Sequence, residues 1–213
     1  PGKITIALGL VLFVGAGSVI HYNTRMVNDF MVADDREALQ VAYEKEFVGY
    51  ANAVLPTITK VNATVDIYPS ERRIEATANI TLTNKSETDI TRFLIGAPNH
   101  TQQWEVEIVG GKQGSVIDKF DTAWFTFDSP LKPGETRQGK LTVTRAHHGF
   151  SESNHDYTLV QNGTFIGNWE LFPSFGYQKH VQLRDRHKRK EHGLPKFERA
   201  NKLEDIAFHN ESS

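Results

Sequence analysis

The histidines are the residues of this chain that could bind a metal, and their spacing decides whether they do. Many zinc peptidases carry His-Glu-x-x-His, where two histidines one helical turn apart bind zinc and the glutamate between them acts as general base. That spacing does not occur in this sequence. His147 and His148 follow a predicted strand, and adjacent side chains on an extended chain point to opposite faces. We therefore predict no metal ligand and no catalytic residue here.

Other common catalytic signatures are missing from the sequence too. It has no Gly-x-Ser-x-Gly elbow, no phosphate-binding glycine loop and no dinucleotide fingerprint. Gly110 and Gly111 lack the lysine and the strand-to-helix context of a phosphate loop, so we expect a hairpin turn there. The chain has no cysteine, which excludes disulfides, thiolate metal sites and a cysteine nucleophile. The sequence thus predicts no cofactor of its own.

A group of aromatic residues is the strongest candidate for a contact surface. It surrounds Pro173 and Gly176 and could line a ligand groove or close a core. Packing in a core or between domains is the favoured interpretation, because large aromatic side chains are usually buried. We predict an interdomain or ligand contact from five residues: Phe165, Trp169, Phe172, Phe175 and Tyr177.

The charge pattern argues against a nucleic-acid partner. The net charge of -2 arises from 24 basic and 26 acidic residues, so no field of either sign dominates. His180, His187 and His192 lie in a basic run near the end of the chain, where acidic residues dilute the positive charge. We expect a solvated helix face there.

Asn-x-Ser/Thr triplets recur along the chain and could accept glycans in a eukaryotic secretory pathway. Threonine-rich strands produce such triplets by chance, which is the interpretation that we favour. The asparagines concerned are Asn62, Asn79, Asn84, Asn99, Asn162 and Asn210.

The first element of the chain is an apolar run. From Ile4 to Ile20 it holds 17 residues without a charge, which span about 26 Å as a helix, close to the hydrocarbon thickness of a bilayer. We predict a transmembrane helix over 1–22, against the alternatives of a cleaved signal peptide and a buried soluble helix. Lys3 precedes the run, so the positive-inside rule places the bulk of the chain outside the cytoplasm.

The pattern after the run predicts a linker helix and then a β-sandwich. Residues 23–55 should contain an amphipathic helix from Asp34, as its N-cap, to about Val54. Alternating apolar residues then predict a hairpin with one buried face, turning at Tyr68–Arg72, and further strands that include Ser115–Phe120 and a central Gly139–Arg145. The antiparallel β-sandwich should span 56–180, followed by a charged segment over 181–213.

Five stretches together resemble one bacterial family, in which an ABC-2-type transporter permease is fused to a membrane-alanyl-aminopeptidase-like zinc peptidase. Their order and spacing carry the resemblance more than any single stretch. They are HYNTRMVNDF (His21–Phe30), VDIYPSERRIEATANITLTNKSETDI (Val65–Ile90), NGTF (Asn162–Phe165), LFPSFGYQ (Leu171–Gln178) and RDRHKRKEHGLP (Arg184–Pro195).

The resemblance implies a mainly β fold, with the last permease helix leading through a linker helix to the saddle-like N-terminal sandwich of the peptidase. It implies zinc in a catalytic domain beyond this chain, and no metal within it. The implied partners are the bilayer, neighbouring permease helices, the downstream peptidase domain and an ABC ATPase subunit, at the periplasmic side of the inner membrane. The alternative function is a free-standing, membrane-anchored binding or adhesion domain.

Overall fold

The computed structural model describes residues 2–28, 30–96, 102–150, 158–167 and 171–197. Trp169 of the predicted aromatic group, and the triplet asparagines Asn99 and Asn210, lie outside the described residues.

The chain begins with an apolar helix, α1, over Gly2–His21, which continues as a π-helical turn over Tyr22–Val27. By length and composition the helical stretch Gly2–Val27 can cross a membrane, and none of its most apolar part is buried by the rest of the chain. Among the described residues, none outside this helical stretch buries that apolar part. The prediction of an N-terminal apolar helix is confirmed.

A second helix, α2, runs over Ala33–Phe47 and is extended by a 3-10 turn over Val48–Tyr50. It ends before the predicted Val54, and its N-cap is Val32, which provides no side-chain cap. The prediction of Asp34 as N-cap was wrong by two residues. Asp34 and Asp35 lie instead in the first turn, where acidic side chains interact favourably with the helix dipole.

In the described part of the chain ten strands follow, and a short helix, α3, comes after them at Arg186–Glu191. In chain order the strands are β1 Thr57–Tyr68, β2 Arg73–Thr83, β3 Ile90–Gly96, β4 Gln102–Ile108, β5 Gly111–Gln113, β6 Thr122–Leu131, β7 Thr136–Ala146, β8 Leu159–Val160, β9 Gly163–Thr164 and β10 Ser174–Phe175.

The strands form two four-stranded antiparallel sheets that pack face to face. Sheet A has the order β1-β2-β7-β4, sheet B has the order β10-β3-β6-β5, and β8 and β9 form a separate small hairpin. β7 lies between β2 and β4, which confirms that this strand is central. The prediction of a mainly β, antiparallel sandwich is therefore confirmed, whereas the domain boundaries given above stay predictions.

One predicted strand is wrong. Residues 115–120 form no strand and contribute a single bridge, from Ile117 to Thr122. The chain returns from sheet A to sheet B before these residues, at β5, after Gly110 adopts a positive φ of 75° that glycine tolerates without strain. That turn carries the chain from sheet A to sheet B, and so it does not close a hairpin within one sheet.

The main core lies between the two sheets. Ile80 and Leu82 of β2 contact Phe93 of β3 and Phe125 of β6, and all four are at most 1% exposed. A second cluster, around Ile74, closes the end of the sandwich at which β2 begins, together with Ala76, Val143, Leu159 and Leu171.

The edge strand β1 departs from the prediction that its hairpin buries one face. Val65 pairs with Ala76, which is 3% exposed, yet Val65 itself is 40% exposed. The residues of β1 on the same face as the core are therefore left uncovered by the described part of the chain. They are Ile58, Val61, Ala63, Val65 and Ile67.

A third layer is formed by α2 on the outer face of sheet B. Tyr43 and Phe47 of the helix are buried against Leu94 of β3. Phe120 meets both rings edge-on, with ring centroids 5.7 and 5.4 Å away. This contact sets the position of α2 relative to the sandwich.

Candidate functional site

The predicted aromatic group is divided among several surroundings. Phe175 lies in the main core, with its ring centroid 4.9 Å from that of Phe93, and Phe172 packs between the two core clusters. Tyr177 stacks on Tyr43 of α2, with centroids 5.4 Å apart, whereas Phe165 is 87% exposed. The described members therefore do not line one groove, and their role as interdomain or ligand contacts stays a prediction.

Tyr177 does line a small cavity of about 210 Å³ between sheet B and the segment that follows α2, which contributes Tyr50, Ala53 and Leu55. Tyr50 and Trp124 also line it, with ring centroids 4.7 Å apart, and the Arg92 guanidinium lies 4.5 Å from the Trp124 centroid. This cavity is smaller than the roughly 300–1,000 Å³ of typical small-molecule sites.

The described residues offer no metal site. No three of their histidine, aspartate and glutamate side chains come close enough to hold an ion. His148 is exposed, while burial lowers the pKa of the half-buried His147 to about 4, with smaller contributions from the positive charges of Arg145 and Arg72. Zinc does not fit this part of the chain.

An ion pair between α2 and α3 is deeply buried. Arg189 donates to both carboxylate oxygens of Glu44, at 2.8 and 2.6 Å, and the two side chains are 4% and 1% exposed. The guanidinium also donates to the Leu183 and Pro195 carbonyls, at 2.5 and 2.7 Å. Four of its five N–H donors are thus bonded to protein acceptors, as a buried cation requires.

A second, more exposed group of charges lies beside this pair. Lys188 and His192 both contact the carboxylate of Glu37, and the hydrogen bond from Lys188 is the main reason that the pKa of Glu37 is lowered. Asp185 caps α3 by accepting from the backbone N–H groups of His187 and Lys188. The basic run is therefore docked on α2, and the prediction of a solvated helix face was wrong for its inward side.

The sequence held one signal for this docking. Val41, Glu44 and Phe47 are three residues apart and lie on one face of α2, so Glu44 is a charged residue on an otherwise apolar stripe. A buried carboxylate needs a cationic partner, but its partner lies 145 residues further along the chain. Sequence spacing alone does not identify that partner.

The end of α1 and the loop after β7 form a junction that we call the membrane junction: Asn23, Asn28, Arg72 and residues 148–150. The Asn28 side-chain amide donates to the His148 carbonyl at 3.0 Å, to the Phe150 carbonyl at 3.2 Å and to Asn23 of its own helix at 2.9 Å. From the sandwich side, Arg72 donates to the Gly149 carbonyl at 2.8 Å. The loop is thus bonded to both the helix and the sheet.

Gly149 allows the close approach at this junction. Its φ is +61°, a region that side-chain-bearing residues rarely adopt, and a Cβ at this position would collide with the Asn23 side chain. Val27 of the π-helical turn is also in contact range. The loop backbone therefore packs directly against the last turns of the apolar helix.

The asparagines of the glycosylation triplets differ in how far their side chains are exposed to solvent. Asn84 is fully buried, and its amide donates to the Thr88 and Leu131 carbonyls at 2.7 and 2.8 Å. Its side-chain oxygen accepts from Ser86, so no atom is left to carry a glycan in the folded protein. Asn62, Asn79 and Asn162 are exposed.

Comparison with known proteins gives similarity to parts of two zinc peptidases. A mutant M1 zinc metallopeptidase from Deinococcus radiodurans, bound to a Tyr-Ser-Ala substrate, is 14% identical over 43% of this chain and 20% of its own, with a TM-score of 0.34. A mutant two-domain M1 zinc metallopeptidase bound to L-tryptophan is 14% identical over 47% of this chain and 24% of its own, with a TM-score of 0.33.

No family model matches the chain, and no curated protein matches it. The matched region spans 20% and 24% of the two solved structures, so it corresponds to a minor part of those enzymes. At this identity and TM-score the likeness assigns no activity to the chain.

Proposed function

We propose that this chain is a non-catalytic, membrane-anchored scaffold, the N-terminal part of a zinc aminopeptidase-like protein fused to an ABC-2-type permease. Its task is to hold a downstream peptidase domain at a fixed position outside the cytoplasmic membrane, on the periplasmic side. The zinc belongs to that downstream domain. The partners of the scaffold are the permease helices, the peptidase domain and, through the permease, an ABC ATPase subunit.

The observation that carries the scaffold role is the pair of Asn28 hydrogen bonds to the carbonyls of His148 and Phe150. A flexible tether would leave the sandwich free to rotate, whereas Asn28 and Arg72 bond the same loop from the helix and from the sheet. The buried Glu44–Arg189 pair then joins α2 to α3. A domain with these connections is suited to setting an orientation relative to the bilayer.

Fixed orientation can be measured directly, because the chain has no cysteine and accepts site-specific labels cleanly. Spin labels on Ile20→Cys and Lys140→Cys, in the full chain in lipid nanodiscs, should give a narrow distance distribution. Asn28→Ala should broaden it, and Asn62→Ala, which changes an exposed asparagine on β1, should not. A distribution that is equally broad with and without Asn28 would refute the scaffold role.

The peptidase part of the proposal is supported by the resemblance of the five sequence stretches and has its own test. The reading frame after Ser213 should encode His-Glu-x-x-His and a further glutamate ligand, without which such a peptidase cannot hold zinc. The segment Asp34–Ser213, assayed with zinc on amino-acyl arylamides, should show no turnover. Metal-dependent hydrolysis by that segment would contradict the non-catalytic assignment.

A further inference from the structure

The base of the sandwich is the end at which β2 begins and β7 ends, and two exposed aromatic side chains lie there. Phe150 is 46% exposed and Phe165 is 87% exposed. A single exposed apolar side chain is common, but apolar side chains that share one end of a domain can together form a contact surface. The question is what covers them.

Phe150 belongs to the membrane junction, which fixes its height above the bilayer. If the 20 residues of α1 (Gly2–His21) fill the hydrocarbon core of about 30 Å, Asn23 lies about 3 Å and Asn28 at most about 10 Å beyond its edge, because the π-helical turn over Tyr22–Val27 rises less per residue than an α-helix. The neighbouring Gly149 backbone packs against Asn23, and the Phe150 carbonyl accepts from Asn28. Phe150 therefore lies at the level of the lipid headgroups.

Phe165 lies at the same end of the sandwich by an independent set of contacts. Its backbone N–H donates to the Thr158 carbonyl at 3.0 Å, just before β8, and β8 lies beside the turn Pro69–Glu71 at the tip of the β1–β2 hairpin. The next residue, Ile166, packs on the cluster around Ile74. Ile74 is two residues from Arg72, which bonds the junction loop.

We propose that the base of the sandwich docks on the bilayer surface, with Phe150 and Phe165 inserted among the lipid headgroups as a second membrane contact besides α1. Aromatic side chains at this level are favoured because they bury apolar area while staying close to the polar interface. Tyr22, 61% exposed at the end of α1, lies at the same level. The inference rests on the proposed membrane anchor.

The test uses a fluorescent, polarity-sensitive probe on single cysteines in the otherwise cysteine-free full chain. Phe150→Cys and Phe165→Cys are compared with Val109→Cys, an apolar residue that is 68% exposed at the opposite end of the sandwich, and with Val11→Cys within α1. The proteins are reconstituted into phosphatidylcholine vesicles that carry a nitroxide quencher either on the headgroup or deep in the acyl chain.

Probes at positions 150 and 165 should lose most of their emission to the headgroup quencher, while the probe at 109 should keep its emission. The probe at 11 should be quenched by the deep nitroxide, which tests the anchor separately. Equal emission at 150, 165 and 109, with position 11 quenched, would overturn the docking and leave the anchor intact. Failure to quench position 11 would overturn both.

A second variant connects the docking to the junction. Asn28→Ala in the labelled Phe150→Cys chain should restore much of the emission lost to the headgroup quencher, since the loop is then no longer held at that level. Asn62→Ala in the same chain should leave the quenching unchanged. If Asn28→Ala has no effect on quenching at position 150, the junction does not hold Phe150 at the depth of the headgroups, and the docking proposal is overturned.

Discussion

Gly149 shows how a single position controls the approach of the sandwich to the helix that precedes it. Its positive φ and its contact with Asn23 mean that any side chain is both strained and obstructed there. Gly193 has a similar φ of +67° but nothing within 4 Å of the place where a Cβ would lie. A comparison of the two glycines therefore distinguishes the cost of the strained backbone, which both positions share, from the cost of the steric collision, which only Gly149 has.

We predict that Gly149→Ala destabilises the folded chain by more than the roughly 1 kcal/mol expected from positive φ alone. Gly193→Ala should cost about 1 kcal/mol for the same backbone reason without the collision. Urea unfolding of the full chain in detergent, followed by tryptophan fluorescence, measures both. Equal losses would show that the Asn23 side chain simply moves aside.

His147 gives the chain a pH dependence whose window follows from the lowered pKa. The unfolded chain takes up a proton on this imidazole near pH 6.5, whereas burial delays uptake in the folded chain to about pH 4. Between these values the unfolded state binds more protons, so stability falls as the pH falls. Three carboxylates have pKa values below the ordinary range: Glu37, Glu135 and Asp185. Their contribution to stability is lost only when the pH falls below the ordinary pKa of a carboxylate, which is a lower window than that of His147.

We expect the urea midpoint of the full chain to drop between pH 7 and pH 5, and His147→Gln to flatten this drop. His148→Gln should leave it nearly unchanged, because that side chain is exposed. An identical slope for the His147→Gln chain would place the pH dependence elsewhere.

At the scale of the elements, the buried pair between α2 and α3 behaves differently from the exposed pair beside it. Removing one member of a buried ion pair leaves the other charge buried without compensation, which costs about 3–5 kcal/mol. Exposed pairs contribute at most about 1 kcal/mol. Both pairs join the same two helices, so the comparison holds the surroundings constant.

Arg189→Met should therefore lower the free energy of unfolding by about 3–5 kcal/mol, whereas Lys188→Met should lower it much less, because the Lys188 side chain is exposed to solvent. The double variant Glu44→Gln with Arg189→Met should recover part of the loss, because it removes the stranded carboxylate. Thermal or urea unfolding of the four chains measures this. No recovery in the double variant would mean that the Leu183 and Pro195 carbonyls dominate.

Two valines of sheet A test whether its edge strand β1 is covered. Val65 on β1 and Val143 on β7 lie on the same face of the sheet, but the first is 40% and the second 1% exposed. Val143→Ala should cost about 2 kcal/mol or more, from lost burial and the cavity left behind. Val65→Ala should lower the free energy of unfolding by well under 1 kcal/mol. Urea unfolding measures both variants, and similar losses of unfolding free energy would mean that β1 is covered.

Local pattern predicts the elements well and their partners poorly. The alternation in β2 and the proline-led turn at Pro69 correctly gave the β1–β2 hairpin, because register and turn are both encoded within one short stretch. The pairing of β2 with β7 joins Thr83 to Thr136, although β3 to β6 lie between them in the chain, and no local feature specifies it. The same holds for Asn28 and the Phe150 carbonyl, which are 122 residues apart.

The whole molecule is a series of layers, with sheet A on sheet B, α2 on sheet B and α3 on α2. The two sheets cover each other's apolar faces and α2 covers an apolar patch on the outer face of sheet B, whereas α3 joins α2 through charged side chains. Deleting α1 removes a helix that covers nothing in the sandwich, whereas deleting α2 exposes Leu94 and leaves Arg189 without its carboxylate. The sandwich should therefore stay folded without α1 but not without α2.

We predict that a chain starting at Phe30 keeps its tertiary structure, and that one starting at Thr57 does not. Near-ultraviolet circular dichroism and binding of a hydrophobic dye should distinguish them, with the second chain losing its aromatic signal and binding the dye. Native-like spectra from the chain that starts at Thr57 would show that the two sheets suffice without α2.

The burial of Asn84 also bears on the host in which this protein can be made. A eukaryotic secretory cell attaches glycans to a chain as it is synthesised, before a strand end such as Asn84 has closed over its hydrogen bonds with Thr88 and Leu131. A sugar on that nitrogen has no space between β2 and the end of β6, so such a molecule would be retained as misfolded. Production in bacteria avoids glycan attachment at Asn84, and so does Ser86→Ala, which removes the Asn-x-Ser triplet.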